Sequence, residues 1–304
     1  MKLNYKIISK SSEIEKYYSK AKKYCYFCDN PSATFKTKPH LISQLLGANN
    51  ITYNHECDSC NKFFSETYEN DLQKFVSPFI ITSQTKSGNS NKYPKYKPHS
   101  KSDFSIQFTD QLSFKNYDPI HNLLKVNHEN KTGSIEIPRN KFIPINVYKA
   151  FLKIAIGLMP EETVNNYQQT IEWLKDKNAT KPFFPDLLAC SFSFRLINKK
   201  VSAPYADLHE AKEIIIGNKE YIHHILVIRF ANIVMQFFMP PSLLNIRNHH
   251  QENELVLEIA PMAIHHVSIF QSKTINYNRY DLFKSEAITM EEIFPITFQS
   301  IEVT

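Results

Sequence analysis

The sequence CYFCDNPSATFKTKPHLISQLLGANNITYNHECDSCN, residues 25–61, determines what this 304-residue chain can fold into. It holds two Cys-x-x-Cys pairs, Cys25/Cys28 and Cys57/Cys60, with 28 residues between them. Two such pairs bring four thiolates to one tetrahedral Zn²⁺, and sites with four cysteines are usually structural. The spacing therefore predicts a structural zinc held by these four residues; a redox Cys-x-x-Cys and reduced free thiols are the alternatives.

The rest of the composition agrees with metal binding rather than disulfide formation. Hydrophobic residues make up 42% and charged residues 22%, as in folded soluble proteins. No run of about 18 apolar residues is present, and the N-terminus lacks the apolar core of a signal peptide. We therefore expect a cytoplasmic protein without a membrane span, in a reducing compartment where clustered cysteines bind metal. Cys190 stands apart from the cluster.

The positive charge is concentrated in the segment that holds the cysteines. The whole chain carries a formal net charge of +6. Residues 1–100 contain 15 lysines and no arginine against 8 acidic residues, so the remaining residues sum to −1. A basic excess of this kind favours a polyanionic partner, and a solvated lysine-rich surface is the alternative.

The sequence between and after the cysteine pairs resembles that of the HNH (ββα-metal) endonucleases. The likeness is strongest to the branch in which two Cys-x-x-Cys pairs clamp the motif, as in recombination endonuclease VII and bacterial HNH defence nucleases. It covers residues 23 to about 80. The matching positions are Thr34-Phe35-Lys36, Lys38, His40-Leu41-Ile42, Leu46-Gly47, Glu56-Cys57-Asp58, Cys60-Asn61, Phe64-Ser65 and Glu69-Asn70-Asp71-Leu72.

The resemblance implies a fold and assigns three roles. The fold is a zinc-stapled, treble-clef-like ββα-metal module. His40 would be the base that deprotonates the attacking water, a task that suits a near-neutral pKa. Asn61 would help to hold a catalytic Mg²⁺ or Mn²⁺. Asn50 matches the middle asparagine, which lies in the loop and orients the base, with Asn49 and Asn54 as rivals.

The chain departs from the family in front of the histidine. Many HNH motifs have an acidic metal ligand there, and this chain has Pro39. Glu69 and Glu66 on the following helix are the candidates to replace it. Glu69 lies eight residues after Asn61, within about 80° of the same helical face, and is preferred. Phosphate contacts are expected from Lys36, Lys38 and Lys62.

Beyond the module, sequence patterns predict an α+β domain with a mostly antiparallel sheet. Residues 104–109 and 134–138 alternate as half-buried strands do. Apolar residues at helical spacing predict a helix over 147–158, and residues 161–177 predict a second helix. Residues 225–230 and 233–239 are typical of a strand pair joined at Ala231-Asn232. The domains expected are a basic lead-in (1–22), the HNH module (23–80), a basic linker (81–103) and the α+β domain (104–304).

These patterns together predict a metal-dependent endonuclease, a phosphodiester hydrolase acting on DNA, with RNA as a second possibility. The resemblance adds the expectation of an anti-phage defence or mobile-element role, under control of the C-terminal domain or of a partner such as an ATPase or a sensor. The alternative is a catalytically inactive zinc finger that only binds nucleic acid or protein. A third hypothesis makes the C-terminal domain a sensor of a small molecule.

Overall fold

The computed structural model describes residues 4–13, 24–47, 49–86, 92–97, 104–109, 111–115, 123–179, 191–196, 201–216, 219–240, 278–282 and 285–297. Within these residues the helices are α1 (Asp58–Phe64), α2 (Asn70–Thr82), α3 (Pro144–Leu158), α4 (Glu161–Val164) and α5 (Gln168–Lys175). The strands are β1 (Asn4–Lys10), β2 (Lys95–Tyr96), β3 (Ser105–Phe108), β4 (Leu112–Lys115), β5 (Leu124–Asn127), β6 (Thr132–Pro138), β7 (Ser191–Leu196), β8 (Tyr205–Ile216), β9 (Lys219–Phe230), β10 (Ile233–Phe238), β11 (Asn278–Asp281) and β12 (Glu291–Thr297).

The described strands form one large and two small sheets. The large sheet has the order β1-β8-β9-β10-β7-β11, and the small sheets are β12-β6-β5 and β2-β3-β4. All of the described strand pairings are antiparallel. The predicted α+β class with antiparallel sheets is therefore confirmed. No helix in the described ranges is long and apolar enough to cross a membrane.

The β9–β10 hairpin is where the sequence predicted it. Ile233 pairs with Phe230, so Ala231 and Asn232 form the two-residue connection. Ala231 has a φ of +52°, as tight hairpin turns require. Buried residues of these strands, among them Ile228 and Met235, contribute to the hydrophobic core.

The first strand lies in the segment expected to be a basic lead-in. β1 pairs with β8, and Ser11, just after the strand, accepts a hydrogen bond from the Ala206 backbone N–H at 2.9 Å. This pairing spans about two hundred residues of sequence, so no local pattern could indicate it. Residues 81–103, the expected linker, likewise contain the end of α2 and strand β2.

The predicted helix over residues 161–177 is divided. α4 and α5 are separated by a 3₁₀ turn, Asn165–Tyr167. Tyr167 leaves helical geometry (φ −116°, ψ 20°), and its buried hydroxyl hydrogen-bonds to Nδ1 of His224 on β9 at 2.7 Å. This contact with the large sheet accounts for the break.

Helix α3 packs directly against the segment that carries His40. Pro144 begins the helix, and nearly all of its residues are buried, as expected of a helix that is apolar on several sides. A Cβ added at Gly157 would lie 2.5 Å from Leu41 Cδ1 and 3.1 Å from the Tyr53 ring. A glycine at this position lets helix and loop approach each other closely.

We expect Gly157→Val to lower the free energy of unfolding by about 1–3 kcal/mol, because the added methyl groups overpack the contact with Leu41 and Tyr53. Gly157→Ala is the graded control. Its methyl meets the movable end of Leu41, and its higher helix propensity offsets about 1 kcal/mol. Urea denaturation measures both variants. A valine variant as stable as the wild type would show that α3 does not rest against this loop.

Candidate metal centre and active site

The four cysteines of the two pairs converge. Their Sγ atoms all lie within 4.8 Å of one another, and Cys28 and Cys57 are 3.6 Å apart. Tetrahedral zinc with Zn–S bonds near 2.3 Å requires sulfur–sulfur distances of about 3.8 Å. The cluster therefore fits one zinc ion with no open coordination position. Cys190, the fifth cysteine, lies outside the described residues.

The local structure explains why these thiols meet. Cys57 is the N-cap of α1 and Cys60 is in its first turn, while Cys25 and Cys28 lie in the preceding loop. The Cys57 backbone N–H donates to Cys25 Sγ at 3.5 Å. A hydrogen bond from Cys60 lowers the pKa of Cys25 to about 5, so it is a thiolate at neutral pH. Thiolates are the form that binds metal, and the N-terminus of a helix favours them.

Asp58 ties the loop before His40 to the start of α1. Its carboxylate accepts hydrogen bonds from the hydroxyls of Thr34 and Thr37, both at 2.6 Å, and from the backbone N–H groups of Lys36 and Thr37. The bonds from Thr34 and Thr37 hold the pKa of Asp58 well below its usual range. The sequence analysis included Asp58 only as one position of the HNH-like motif. The structure makes it the residue that fixes residues 34–37.

His40 lies on a short antiparallel bridge between the two cysteine pairs. It pairs with Thr52, and the flanking bonds are Leu41 N–H to Ile51 O (2.9 Å) and Tyr53 N–H to Pro39 O (3.2 Å). Two extended segments thus precede α1 and set the position of the imidazole.

Gln44 fixes the orientation of the His40 ring. Its Nε2 lies 2.8 Å from His40 Nε2 and also donates to the Asn49 carbonyl at 3.5 Å. Because the second bond requires an amide donor at this atom, the ring nitrogen is the acceptor. With Gln44 as the donor, the proton of the neutral ring lies on Nδ1, which is buried and has no hydrogen-bond partner among the described residues.

The surroundings of His40 keep the ring neutral. Burial is the largest effect and lowers the pKa of His40, and the charge of Lys153 acts in the same direction. The Asn49 side chain and the charge of Glu69 oppose them. A histidine that is neutral at pH 7 can accept a proton from water.

Asn49, rather than Asn50, organises the loop beside His40. The buried Asn49 Nδ2 donates to the carbonyls of Ile42 (3.1 Å) and Gly47 (3.2 Å), and its Oδ1 accepts from Ile51 N–H (3.2 Å). Asn50 is exposed. Of the two, Asn49 makes the hydrogen bonds that hold this loop, and the role predicted for Asn50 stays a prediction.

The helix that follows the cysteines contains a wider turn. Ser65–Glu69 is π-helical and joins α1 to α2, a local irregularity that often marks functional sites. Glu69 lines a small pocket together with Ser43 and Lys153. Glu66 is exposed and forms a surface ion pair with Lys62 at 3.8 Å, which leaves it on the solvent side.

Asn61 is half-buried in α1. Among the described residues, no hydrogen bond or charge interaction joins it to His40. Of the predicted site residues, Glu69 acts on His40 through its charge, and no hydrogen bond or ion pair among the described residues joins the two. Lys36 and Lys38 are exposed, as phosphate contacts must be.

Lys153 and Glu56 form an ion pair beside this pocket that sequence reasoning missed. The Lys153 Nζ lies 3.1 Å from Glu56 Oε2, and their side chains are 6% and 0% exposed. Tyr53 donates its hydroxyl proton to the same carboxylate oxygen at 2.6 Å. Lys153 comes from α3, so a helix outside the Cys-x-x-Cys segment supplies charge to the site.

The catalytic Mg²⁺ or Mn²⁺ expected from the sequence would have fewer protein ligands than the zinc. Within the part of the chain that the structure describes, the four cysteines are the only group of three or more histidine, cysteine or acidic side chains close enough to hold a metal. A Mg²⁺ near Glu69 would need water and substrate oxygens to complete its shell.

We expect Gln44→Ala to convert the neutral His40 ring from the Nδ1–H tautomer to a mixture of both tautomers, because the donor that engages Nε2 is lost. The ring ¹⁵N chemical shifts report this directly. Gln107→Ala is the matched control, since Gln107 donates to Tyr93 O in another sheet. Unchanged shifts in Gln44→Ala would mean that Gln44 does not fix the ring.

The chain was compared with protein-family models, curated proteins and solved structures, and no match was found in any of the three.

Proposed function

We propose that this chain is a metal-dependent endonuclease of the HNH type, which hydrolyses phosphodiester bonds in DNA. The observation that carries the proposal is the position of His40. The ring is neutral and oriented, on an extended segment next to a four-cysteine cluster, and close enough to Glu69 for its charge to act on it. The β-bridge followed by a helix supports a ββα arrangement of the module.

In the proposed reaction, His40 removes a proton from the attacking water. The water takes the place of the Gln44 amide at Nε2, so substrate binding must move that side chain. Asn49 keeps the loop in place during this exchange. Positioning and proton transfer of this kind are each substantial parts of hydrolytic catalysis.

Glu69, with the amide oxygen of Asn61, would hold the catalytic Mg²⁺ or Mn²⁺. Both offer hard oxygen ligands, and Mg²⁺ is commonly bound by one or two carboxylates, with waters and substrate phosphates as the other ligands. The ion would neutralise charge on the scissile phosphate. The single carboxylate is sufficient for this mode of binding.

The biological setting follows from the resemblance alone. We place the enzyme in a bacterial anti-phage defence or mobile-element system. Lys153 supports control by the rest of the chain, because a shift of α3 would move a charge at the site. A partner such as an ATPase or a sensor would act by the same route.

One observation favours an inactive zinc-binding module instead. Pro39 occupies the place of the usual acidic ligand, and the described side chains supply one carboxylate close to His40. Such a protein would bind nucleic acid or protein through the same exposed lysines without cutting.

Incubation of supercoiled plasmid with the purified protein tests the proposal, with Mg²⁺ or Mn²⁺ added and in buffer free of divalent cations. Metal-dependent conversion to nicked or linear DNA supports the enzyme. Binding of DNA without cleavage, with either metal, supports the inactive module. A parallel RNA substrate distinguishes the nucleic acid that is cut.

A further inference from the structure

The small sheet β2-β3-β4 has one apolar and one polar face. Tyr96 pairs with Ile106, and Ile106 pairs with Phe114, so these three lie in one row, where Tyr96 and Ile106 are buried. In the neighbouring row, Lys95 pairs with Gln107 and Gln107 with Ser113. Side chains alternate between the faces of a sheet, so the second row lies on the opposite face, where Lys95 and Ser113 are exposed and Gln107 is half-buried.

The polar face carries three exposed lysines. Lys95, Lys97 and Lys115 are exposed, and we call them the lysine face. Residues 83–115 contain six lysines against two acidic residues, Asp103 and Asp110, so this stretch has a net charge of +4. The five lysines of this stretch that the structure describes form no ion pair with another described residue, whereas Lys62 and Lys74 do. The stretch that carries this face therefore has an excess of positive charge.

The spacing of these lysines suits a phosphate backbone. Lys95 and Lys97 are two residues apart along an extended chain, about 6.6 Å. Lys115 lies two strands from β2, about 9.6 Å across the sheet. A flat face of this width meets several phosphates at once.

Among the described residues of this surface, no aromatic ring is fully exposed. Tyr96 is buried, and Tyr93 is half-buried with the Lys86 ammonium 5.1 Å from its ring centroid. Single-stranded nucleic acids are usually bound by stacking bases on exposed aromatic side chains. The described residues of the lysine face offer charge for phosphates and no fully exposed ring for stacking, which favours a duplex.

The lysine face is connected to the loop of His40. Thr85, just after α2, packs against Gly47 at the end of the turn that carries Gln44. Lys86 follows directly and reaches Tyr93 beside β2. Thr85 and Lys86 thus link the loop of His40 to the segment that leads into β2.

We propose that the lysine face is a docking surface for the phosphate backbone of duplex DNA. The inference rests on the proposed function for the nature of its partner, and it names the surface and the form of the substrate. It requires binding and no cleavage.

The test is fluorescence anisotropy of a labelled 20-base-pair DNA duplex in buffer without divalent cations, between about 50 and 200 mM salt. The variant is Lys95→Gln/Lys97→Gln/Lys115→Gln. Each lost phosphate contact reduces the slope of log K against log salt by about 0.9, so we expect a reduction of about 2.7. The matched control is Lys125→Gln/Lys141→Gln/Lys175→Gln, which removes three exposed lysines elsewhere, and its slope should change by less than about 1.

An unchanged slope in the first variant overturns the proposal. An equal loss in the control also overturns it, since net charge alone would then explain binding. Tighter binding of a single strand of the same length overturns the assignment to a duplex. If the protein binds DNA through this face but never cleaves it, the proposed nuclease function is overturned. The proposal of a DNA-binding surface then still holds.

Discussion

The His40→Ala variant should cleave supercoiled plasmid about 10²- to 10⁴-fold more slowly than the wild type at neutral pH, because it lacks the general base. The first-order rate of nicking with saturating Mg²⁺ measures the effect. His128→Ala is the matched control, since it removes an exposed imidazole from the turn between β5 and β6 and should cut at the wild-type rate. Purified in parallel, the His40 variant also measures contamination by other nucleases.

The pH dependence separates a catalytic role from a structural one. A base must be neutral, so the wild-type rate rises with pH through the pKa of His40 and is constant above it. Burial lowers this pKa, so the midpoint of the fall in rate lies below the ordinary histidine value of about 6.5. In His40→Ala this step should be absent. A variant that cuts as fast as the wild type would show that His40 is not the base.

Local patterns predicted the parts of this fold that depend on neighbouring residues. The Cys-x-x-Cys spacing predicted the cluster because two cysteines three positions apart already share one knuckle. The 3.6-residue period predicted α3, and a two-residue gap predicted the β9–β10 turn. In each case, the information lies within about 40 residues of sequence.

Contacts between distant segments were not predictable in the same way. The helical stripe predicted α3 but gave no sign that its two lysines, Lys149 and Lys153, are buried. Lys149 donates to the carbonyls of Asp176 (2.7 Å) and Ala179 (3.2 Å), and Lys153 pairs with Glu56. Periodicity detects the most apolar side of a helix and cannot tell that other elements cover the rest.

Which of two neighbouring asparagines holds the loop beside His40 could also be seen only in the three-dimensional structure. Asn49 and Asn50 have the same chemistry and adjacent positions, so spacing from Gly47 cannot separate them. Asn49 turns inward because two carbonyls in the loop need donors, and buried backbone groups left unpaired are costly. Gln44 was missed for a similar reason, since only the turn after Ser43 brings its amide to His40.

Loss of the zinc should have the largest effect on stability. Binding of structural zinc contributes about 10–16 kcal/mol in zinc-finger peptides at pH 7, which is comparable to the whole stability of a typical domain. Cys57→Ser removes a ligand that is also the N-cap of α1. We expect this variant to lose the metal and to melt at least 10 °C lower, since even about 2 kcal/mol shifts the melting temperature of a protein of this size by several degrees.

The measurement pairs zinc content by mass spectrometry with thermal unfolding by circular dichroism. Wild type should hold one zinc per chain, and Cys190→Ser, which removes a thiol outside the cluster, should keep both the metal and the melting temperature.

Because the ligands bind as thiolates, acidification should release zinc by protonating them. None of the four clustered cysteines lies on a strand of the large sheet. Its strands should therefore outlast the loop of His40 during chelation, and cleavage should be lost before the strand signal. A Cys57→Ser protein that retains zinc and melts with the wild type would show that the cysteines do not stabilise the fold by binding metal.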